Sequence, residues 1–186
     1  MRDVRDELFR FSSLIDELLV LSKVDSGMIK LQLIPISLKL LLDELIALYQ
    51  KDIDFKHLTV SLHCAADILV NADMTCTRLI LSNLISNAIK YSRSGGNIVI
   101  GCNVVDSEVT IDIIDSGIGM SREDLMRIFD RFFRSPEVSK TNGFGIGMSL
   151  VKQLCALHNL KINYVSALTK GTAVTISGFK KASHRE

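Results

Sequence analysis

No stretch of this 186-residue chain approaches the ~20 consecutive apolar residues that a bilayer-spanning helix needs, and its start, Met1-Arg2-Asp3, lacks the apolar run of a signal peptide. A soluble, cytoplasmic polypeptide is expected, with any membrane anchor of a longer parent lying outside these residues. Nor is there an excess of charge of either sign. The 22 basic and 21 acidic residues leave +1, spread along the sequence, so no basic patch is offered to a nucleic-acid backbone and nucleic acid is not an expected partner. The four cysteines, Cys64, Cys76, Cys102 and Cys155, stand far apart, with no C-x-x-C pair and no histidine at ligand spacing. That disfavours a zinc site and a disulfide framework and predicts reduced, mostly buried thiols. Internal repeats are lacking too, and only the last few polar residues suggest a tail. What is present is a 47% hydrophobic composition, enough for the core of one domain, with or without a short appendage.

From residue 2 to about 25, Val4, Leu8, Phe11, Ile15 and Leu18 recur at 4-3-4-3 spacing, a narrow apolar seam on a helix otherwise rich in Arg, Asp and Glu. Such a seam either packs on its own domain or forms half of an intermolecular bundle. Asp25-Ser26-Gly27 reads as a helix stop, and a domain boundary near residue 28 fits. "IKLQLIPI" then looks extended, and Ser37 is placed to cap the helix "SLKLLLDELIALYQ". "LTVSLHC" and "DILVN" read as short strands ahead of a long helix from about Met74 to Tyr91. Its rows Ile80, Leu84, Ala88 and Leu81, Ile85, Ile89 make one wide buried face. "SRSGG" is a turn, "NIVIGCNVVD" and "EVTIDIID" an antiparallel pair, "VKQLCALHNL" a helix after a glycine-rich loop, and "KINYVSA" and "AVTISGF" the closing strands. Irregular alternation with adjacent hairpins predicts an α/β two-layer sandwich, a mixed sheet with helices on one face rather than a doubly wound parallel sheet.

Three short stretches invite chemistry. "LSNLISNAIKYS" sets Asn83 and Asn87 one helical turn apart inside an apolar run, with Lys90 and Tyr91 following on the same stripe. "DSGIG" puts Asp115 at a strand end, where its carboxylate can accept hydrogen bonds, while Gly117 and Gly119 allow a sharp turn or a close approach to a flat ligand; a plain turn after a strand would look the same. "GFGIG", residues 143 to 147, opens a helix near Met148, and backbone N–H groups at such an entrance suit phosphate oxygens. It is neither the dinucleotide fingerprint nor a Walker A loop, whose Lys-Ser/Thr ending is missing.

Taken in order, "NLISNAIKYS", "DSGIGM", "RIFDRFFRS" and "GFGIGMSLV" resemble the N, G1, F and G2 boxes of the ATP-binding catalytic domain of sensor histidine kinases, within the gyrase, Hsp90, histidine kinase and MutL superfamily. The resemblance covers approximately residues 30 to 180. "LIDELLVLSKVDSGMIKL" also looks like the end of the second dimerisation helix, so residues 1–28 would be that helix and 29–186 the ATP-binding domain, with a Bergerat-type fold. The resemblance implies ATP and Mg2+ as ligands. It implies that the Asn87 side-chain oxygen meets the metal, and that Asn83, Lys90 and Tyr91 hold phosphates or shape the pocket. One neutral amide oxygen can be enough, because Mg2+ retains waters and takes its other ligands from phosphates. Asp115 would accept from the adenine amino group, directly or through water. Gly117, Ile118 and Gly119, then Gly143, Phe144, Gly145, Ile146, Gly147 and Met148, would line the nucleotide. The lid would run from Phe133 to Phe144. Arg134 or Lys140 would either reach phosphates or remain solvated loop charges, and Phe129, with Phe132 and Phe133, would anchor the lid rather than touch the base.

Hydrolytic branches of the superfamily usually place a glutamate four residues before the metal asparagine. Here that position is Asn83, and an amide is no general base at neutral pH, whereas a histidine nucleophile already carries a lone pair. Transfer to histidine is thus implied over fast hydrolysis, with a non-catalytic ATP-regulated clamp as the alternative. The acceptor pattern H-E-x-x-x-P is lacking. His57, His63, His158 and His184 lie in unrelated contexts, so the acceptor is expected upstream of this sequence. Implied partners are a dimerisation domain, of its own or a paired chain, and a response-regulator receiver domain, in a homodimeric parent.

Overall fold

Two side-chain caps set the helical layer in place. The computed structural model describes residue 15, residues 18–135 and residues 143–182. Residues 18–25 form α1. Its end is a left-handed glycine: Gly27 has φ +66°, with Gly27 N donating to Val24 O and Met28 N to Lys23 O, each at 3.0 Å. After β1 (Leu33–Ser37), the Ser37 hydroxyl accepts from Leu40 N at the start of α2 (Leu38–Leu48). The expected single helix through residue 50 instead bends at Tyr49 and resumes as α3 (Gln50–Phe55), the Tyr49 phenol bonding Ser82 at 2.7 Å. β2 (Thr59–His63) and β3 (Leu69–Asp73) follow. Asp73 then caps α4 (Met74–Tyr91), its carboxylate accepting from Cys76 N at 3.0 Å. Such a cap contributes ~1 kcal/mol.

α4 buries the face its pattern predicts. Ile80, Leu81, Leu84, Ile85, Ala88 and Ile89 are all enclosed, and truncating one of its leucines to alanine costs about 2–5 kcal/mol. β4 (Asn97–Val105) and β5 (Glu108–Asp115) form the expected antiparallel pair, turning through Asp106 at φ +55°. A short helix, α5 (Arg122–Arg127), which the pattern does not announce, precedes α6 (Gly147–Leu157). β6 (Lys161–Ala167) and β7 (Gly171–Lys181) end the fold.

The strands make one mixed sheet in the order β1-β3-β7-β5-β4-β2. β6 pairs with residues 171–177 of β7, whose far end meets β3; among the described strands only β2 and β4 run parallel. Period-two alternation turns Ile98 and Ile100 of β4, and Val109, Ile111 and Ile113 of β5, under the helices, while Ile114 and Val165 point to the open side. The expected two-layer sandwich with a mixed sheet is what forms.

α1 is fastened to this body at its end. Leu21 is buried in the common core, and Asp25 takes two bonds from the Arg131 guanidinium, at 2.9 and 2.6 Å, and one from Gln153 at 2.7 Å. Ile15 and Leu18 are exposed, while Val4, Leu8 and Phe11 fall outside the described residues. No helix among the described residues is long and apolar enough to cross a membrane. All four cysteines are free, and burial pushes the Cys76 and Cys155 thiols up to about 12, which leaves them protonated and inert.

Candidate functional site

The loop after β5, the second glycine loop and α6 converge on the C-terminal half of α4. Asn83 and Asn87 are half-buried at the border of its apolar face, and neither simply faces solvent. Asn83 Nδ2 donates to Leu79 O at 3.0 Å, which turns its oxygen toward α6: a methyl group on Gly147 would come within 2.2 Å of Asn83 Oδ1. One turn on, Asn87 Nδ2 donates to the Met148 sulfur at 3.1 Å. Because a thioether can only accept, the nitrogen end of the amide faces it and Oδ1 is the end turned away. The Lys90 ammonium stacks 4.9 Å from the Tyr91 ring and lies 2.7 Å from where a Gly143 side chain would start. Tyr91 O accepts from Ile118 N at 3.2 Å, which closes the helix end onto the loop after β5.

Asp115 is 9% exposed at the end of β5, on the same side as Ile111 and Ile113, so its carboxylate lies beneath the helical layer. Burial raises its pKa above the ordinary carboxylate value, against the backbone N–H groups of Gly117 and Thr172, which stabilise the charge; the Gly117 bond is 2.8 Å. The following loop is clamped by the β6–β7 hairpin. Thr169 N donates to Ile118 O at 2.6 Å, Met120 N to the Ser166 hydroxyl at 2.9 Å, and Ser166 also bonds Thr172 Oγ1 at 2.9 Å.

Glycine is required in this clamp. Gly119 sits at φ +67°, and a Cβ there would fall 1.9 Å from Ala167 O, a backbone atom already held by Lys170 N. Gly119→Ala is expected to cost about 3 kcal/mol, from left-handed strain plus displaced backbone. A urea-denaturation loss below ~1 kcal/mol would show the loop to be loosely held.

The second glycine loop ends at Ile146, which is buried, and no side chain caps the first turn of α6, so its N–H groups are presented at the Asn83 and Asn87 edge of α4. The preceding segment folds back on it: Phe132, at φ +63°, donates its N–H to Gly145 O at 2.8 Å, which ties the two ends of the expected lid together. Phe129 packs edge-on against Tyr164 at 5.6 Å with the Lys152 ammonium 5.1 Å from its ring centre, and Phe133 stacks under Arg127 at 4.3 Å. Both rings are held by neighbouring side chains. The Phe132 ring is instead 65% exposed, and that residue is held through its backbone. Phe144 is also exposed and Arg134 is half-buried. Lys140 lies outside the described residues, as does His184. His158 is structural: its ring bonds Leu154 O at 3.0 Å and accepts from Asp73 N at 3.3 Å.

The donor set suits magnesium better than zinc. Among the described residues no three His, Cys, Asp or Glu side chains gather, so a metal here would depend on an amide oxygen, waters and ligand phosphates, as Mg2+ commonly does.

The sequence model of the histidine kinase-, DNA gyrase B- and HSP90-like ATPases matches residues 72–182, which span α4 and both glycine loops. The chain belongs to this family. It is 30% identical to the sensor protein SrrB of Staphylococcus aureus over 175 residues, 93% of this chain and 30% of that protein. With the sensor protein kinase PmrB of Pseudomonas aeruginosa it shares 28% identity over 149 residues, 80% of this chain and 31% of that protein. The chain thus spans about three tenths of the length of these relatives. Among solved structures, the catalytic domain of histidine kinase ThkA is 25% identical with a TM-score of 0.71, covering 80% of this chain and 96% of that one. Full-length ShkA in complex with AMPPNP matches at a TM-score of 0.81 and 23% identity, over 92% of this chain and 36% of that one. As a member of this ATPase family, with sensor kinases as its relatives, the chain is an ATP-binding domain of the histidine kinase type. Thr172, opposite Asp115 on the neighbouring strand, was not legible as part of the site; only strand register brings it there, and no local pattern signals it.

Proposed function

We propose that this domain binds Mg-ATP between α4, the Asp115 loop and the second glycine loop, and donates the γ-phosphoryl group to a histidine on a dimerisation domain. The reading is supported most by one arrangement: Asn83, Asn87 and Lys90 face Gly147, Met148 and Gly143, while Tyr91 closes on the loop that follows Asp115. A base subsite and a phosphate subsite then share one wall. Asn87 Oδ1 would hold the metal, whose contribution is to neutralise phosphate charge. Lys90 and the N–H groups opening α6 hold the phosphates, and Asp115 accepts from the base.

The chain's own contribution to the transfer is positioning and charge. The acceptor imidazole forms a P–N bond to the γ-phosphorus as the bond to the β,γ-bridging oxygen breaks. ADP leaves, and the imidazole proton passes to solvent. With an amide at position 83 there is no carboxylate to activate water, so hydrolysis stays slow. We further read the parent as a homodimer in which the phosphoryl group passes to a response-regulator receiver domain. The ThkA kinase has been solved in complex with such a regulator, TrrA.

The test is transfer in trans. Incubated with ATP labelled at the γ position and a separately purified dimerisation domain carrying the acceptor histidine, the chain is expected to label that domain with acid-labile, alkali-stable phosphate. ATP binding without any labelling would favour a nucleotide-regulated clamp.

A further inference from the structure

The C-terminus of α4 presents carbonyls that no following turn of helix can satisfy, and it does so where Lys90 and Tyr91 must be held still. One side chain from outside the site takes two of them, together with the carbonyl of the capping residue Ser92. Lys56, just beyond α3, donates from Nζ to Ile89 O at 2.9 Å, Lys90 O at 2.6 Å and Ser92 O at 2.9 Å. The remaining terminal carbonyls go elsewhere: Ala88 O accepts Ser92 N at 3.0 Å, and Tyr91 O accepts Ile118 N. Lys56 O in turn accepts Gly95 N at 2.9 Å, which pins the turn after α4 to the same residue.

We infer that Lys56 is a positioning residue for the nucleotide site. It locks the last turn of α4 so that Lys90 reaches toward Gly143 while Tyr91 O stays on the Asp115 loop. This rests on the nucleotide reading above and adds a residue with no place in any of the four boxes. The chemistry is suited to the task. An ammonium carries three donors and no acceptor, matching three carbonyls, and its positive charge sits at the negative end of the helix dipole. Partial burial favours the neutral amine and so lowers its pKa, with Asp52 opposing and Lys90 adding to the shift. A neutral or shorter side chain would free the carbonyls of Ile89, Lys90 and Ser92, at and on either side of the lysine that is to meet phosphate.

The experiment compares Lys56→Met with Lys56→Arg, reading ATP affinity by calorimetry and amide hydrogen exchange in parallel. In Lys56→Met, exchange at the Ser92 and Ile118 amides should accelerate at least about tenfold while that of Ile85, in the helix centre, is unchanged, and ATP affinity should fall about tenfold; Lys56→Arg should recover most of both. Wild-type ATP affinity in a folded Lys56→Met protein overturns the inference, as does faster exchange spread over the whole domain. Should Lys56→Met not fold, Lys56→Gln, which retains a single donor group, carries the same comparison. If the unaltered protein fails to bind ATP, the nucleotide reading falls, while the exchange measurement still decides whether Lys56 holds the turn.

Discussion

Replacing Asn87 by alanine is expected to remove the magnesium-dependent part of ATP binding, a loss of about a hundredfold, at the upper end of what removing a group from a metal site costs. The fold should survive. Asn87 is half-buried, its amide nitrogen bonds the Met148 sulfur, and alanine has the better helix propensity by several tenths of a kcal/mol, so the melting temperature should move by only a few degrees. The decisive comparison is made with and without magnesium. In excess chelator the two proteins should bind ATP alike, because the amide nitrogen is spent on Met148 and the oxygen's proposed partner is the metal. In excess magnesium they should separate. Equal affinities under both conditions would mean that the oxygen turned away from Met148 meets no metal, and the assignment would fall even if ATP still binds.

Much of the site was legible because its residues sit on elements whose pattern is local. The α4 boundaries and its two buried rows follow from 3.6-residue spacing, and the two amides stand one turn apart beside those rows, at the border of the apolar face. The Ser37 cap and the Gly27 stop are likewise written in single residues at element ends. What escaped is whatever depends on the sheet's register or on a distant side chain. Thr172 reaches Asp115 only because β5 and β7 pair as they do, and Lys56 reaches the end of α4 across more than thirty residues of chain. The bend at Tyr49 escaped for the same reason: no glycine or proline marks it, and the phenol finds its partner, Ser82, on another helix. α5 is too short to show periodicity, although Ser121 caps it through Asp124 N at 3.0 Å.

Asp115→Asn should separate stability from recognition. In the folded protein burial raises the Asp115 pKa above its model-peptide value of 3.8, so the folded state holds this proton more tightly than the unfolded chain. The sign follows by linkage. The stabilisation from that extra proton affinity is fully present below pH 3.8 and is lost as pH rises through the raised folded value, after which the ionised carboxylate is a standing cost. Asparagine cannot titrate. The unfolding free energy of the variant relative to the parent should therefore increase as pH climbs through that window and level off above it, by ~1.4 kcal/mol for each unit by which the folded pKa is raised. A difference flat from pH 3 to 8 would mean that Asp115 ionises as freely in the fold as in the open chain. Binding should move the other way. At neutral pH the carboxylate offers an acceptor to the adenine amino group, whereas guanine would set a carbonyl oxygen against it, so the parent should bind ATP well and GTP weakly. The variant can present a donor instead, and ATP affinity should drop about tenfold to a hundredfold, the loss of one hydrogen bond to a charged group, while the gap between ATP and GTP narrows. Equal ATP and GTP affinities in the parent protein would remove Asp115 from base recognition. A carboxylate kept under the helical layer against its own solvation would then need another reason to be there.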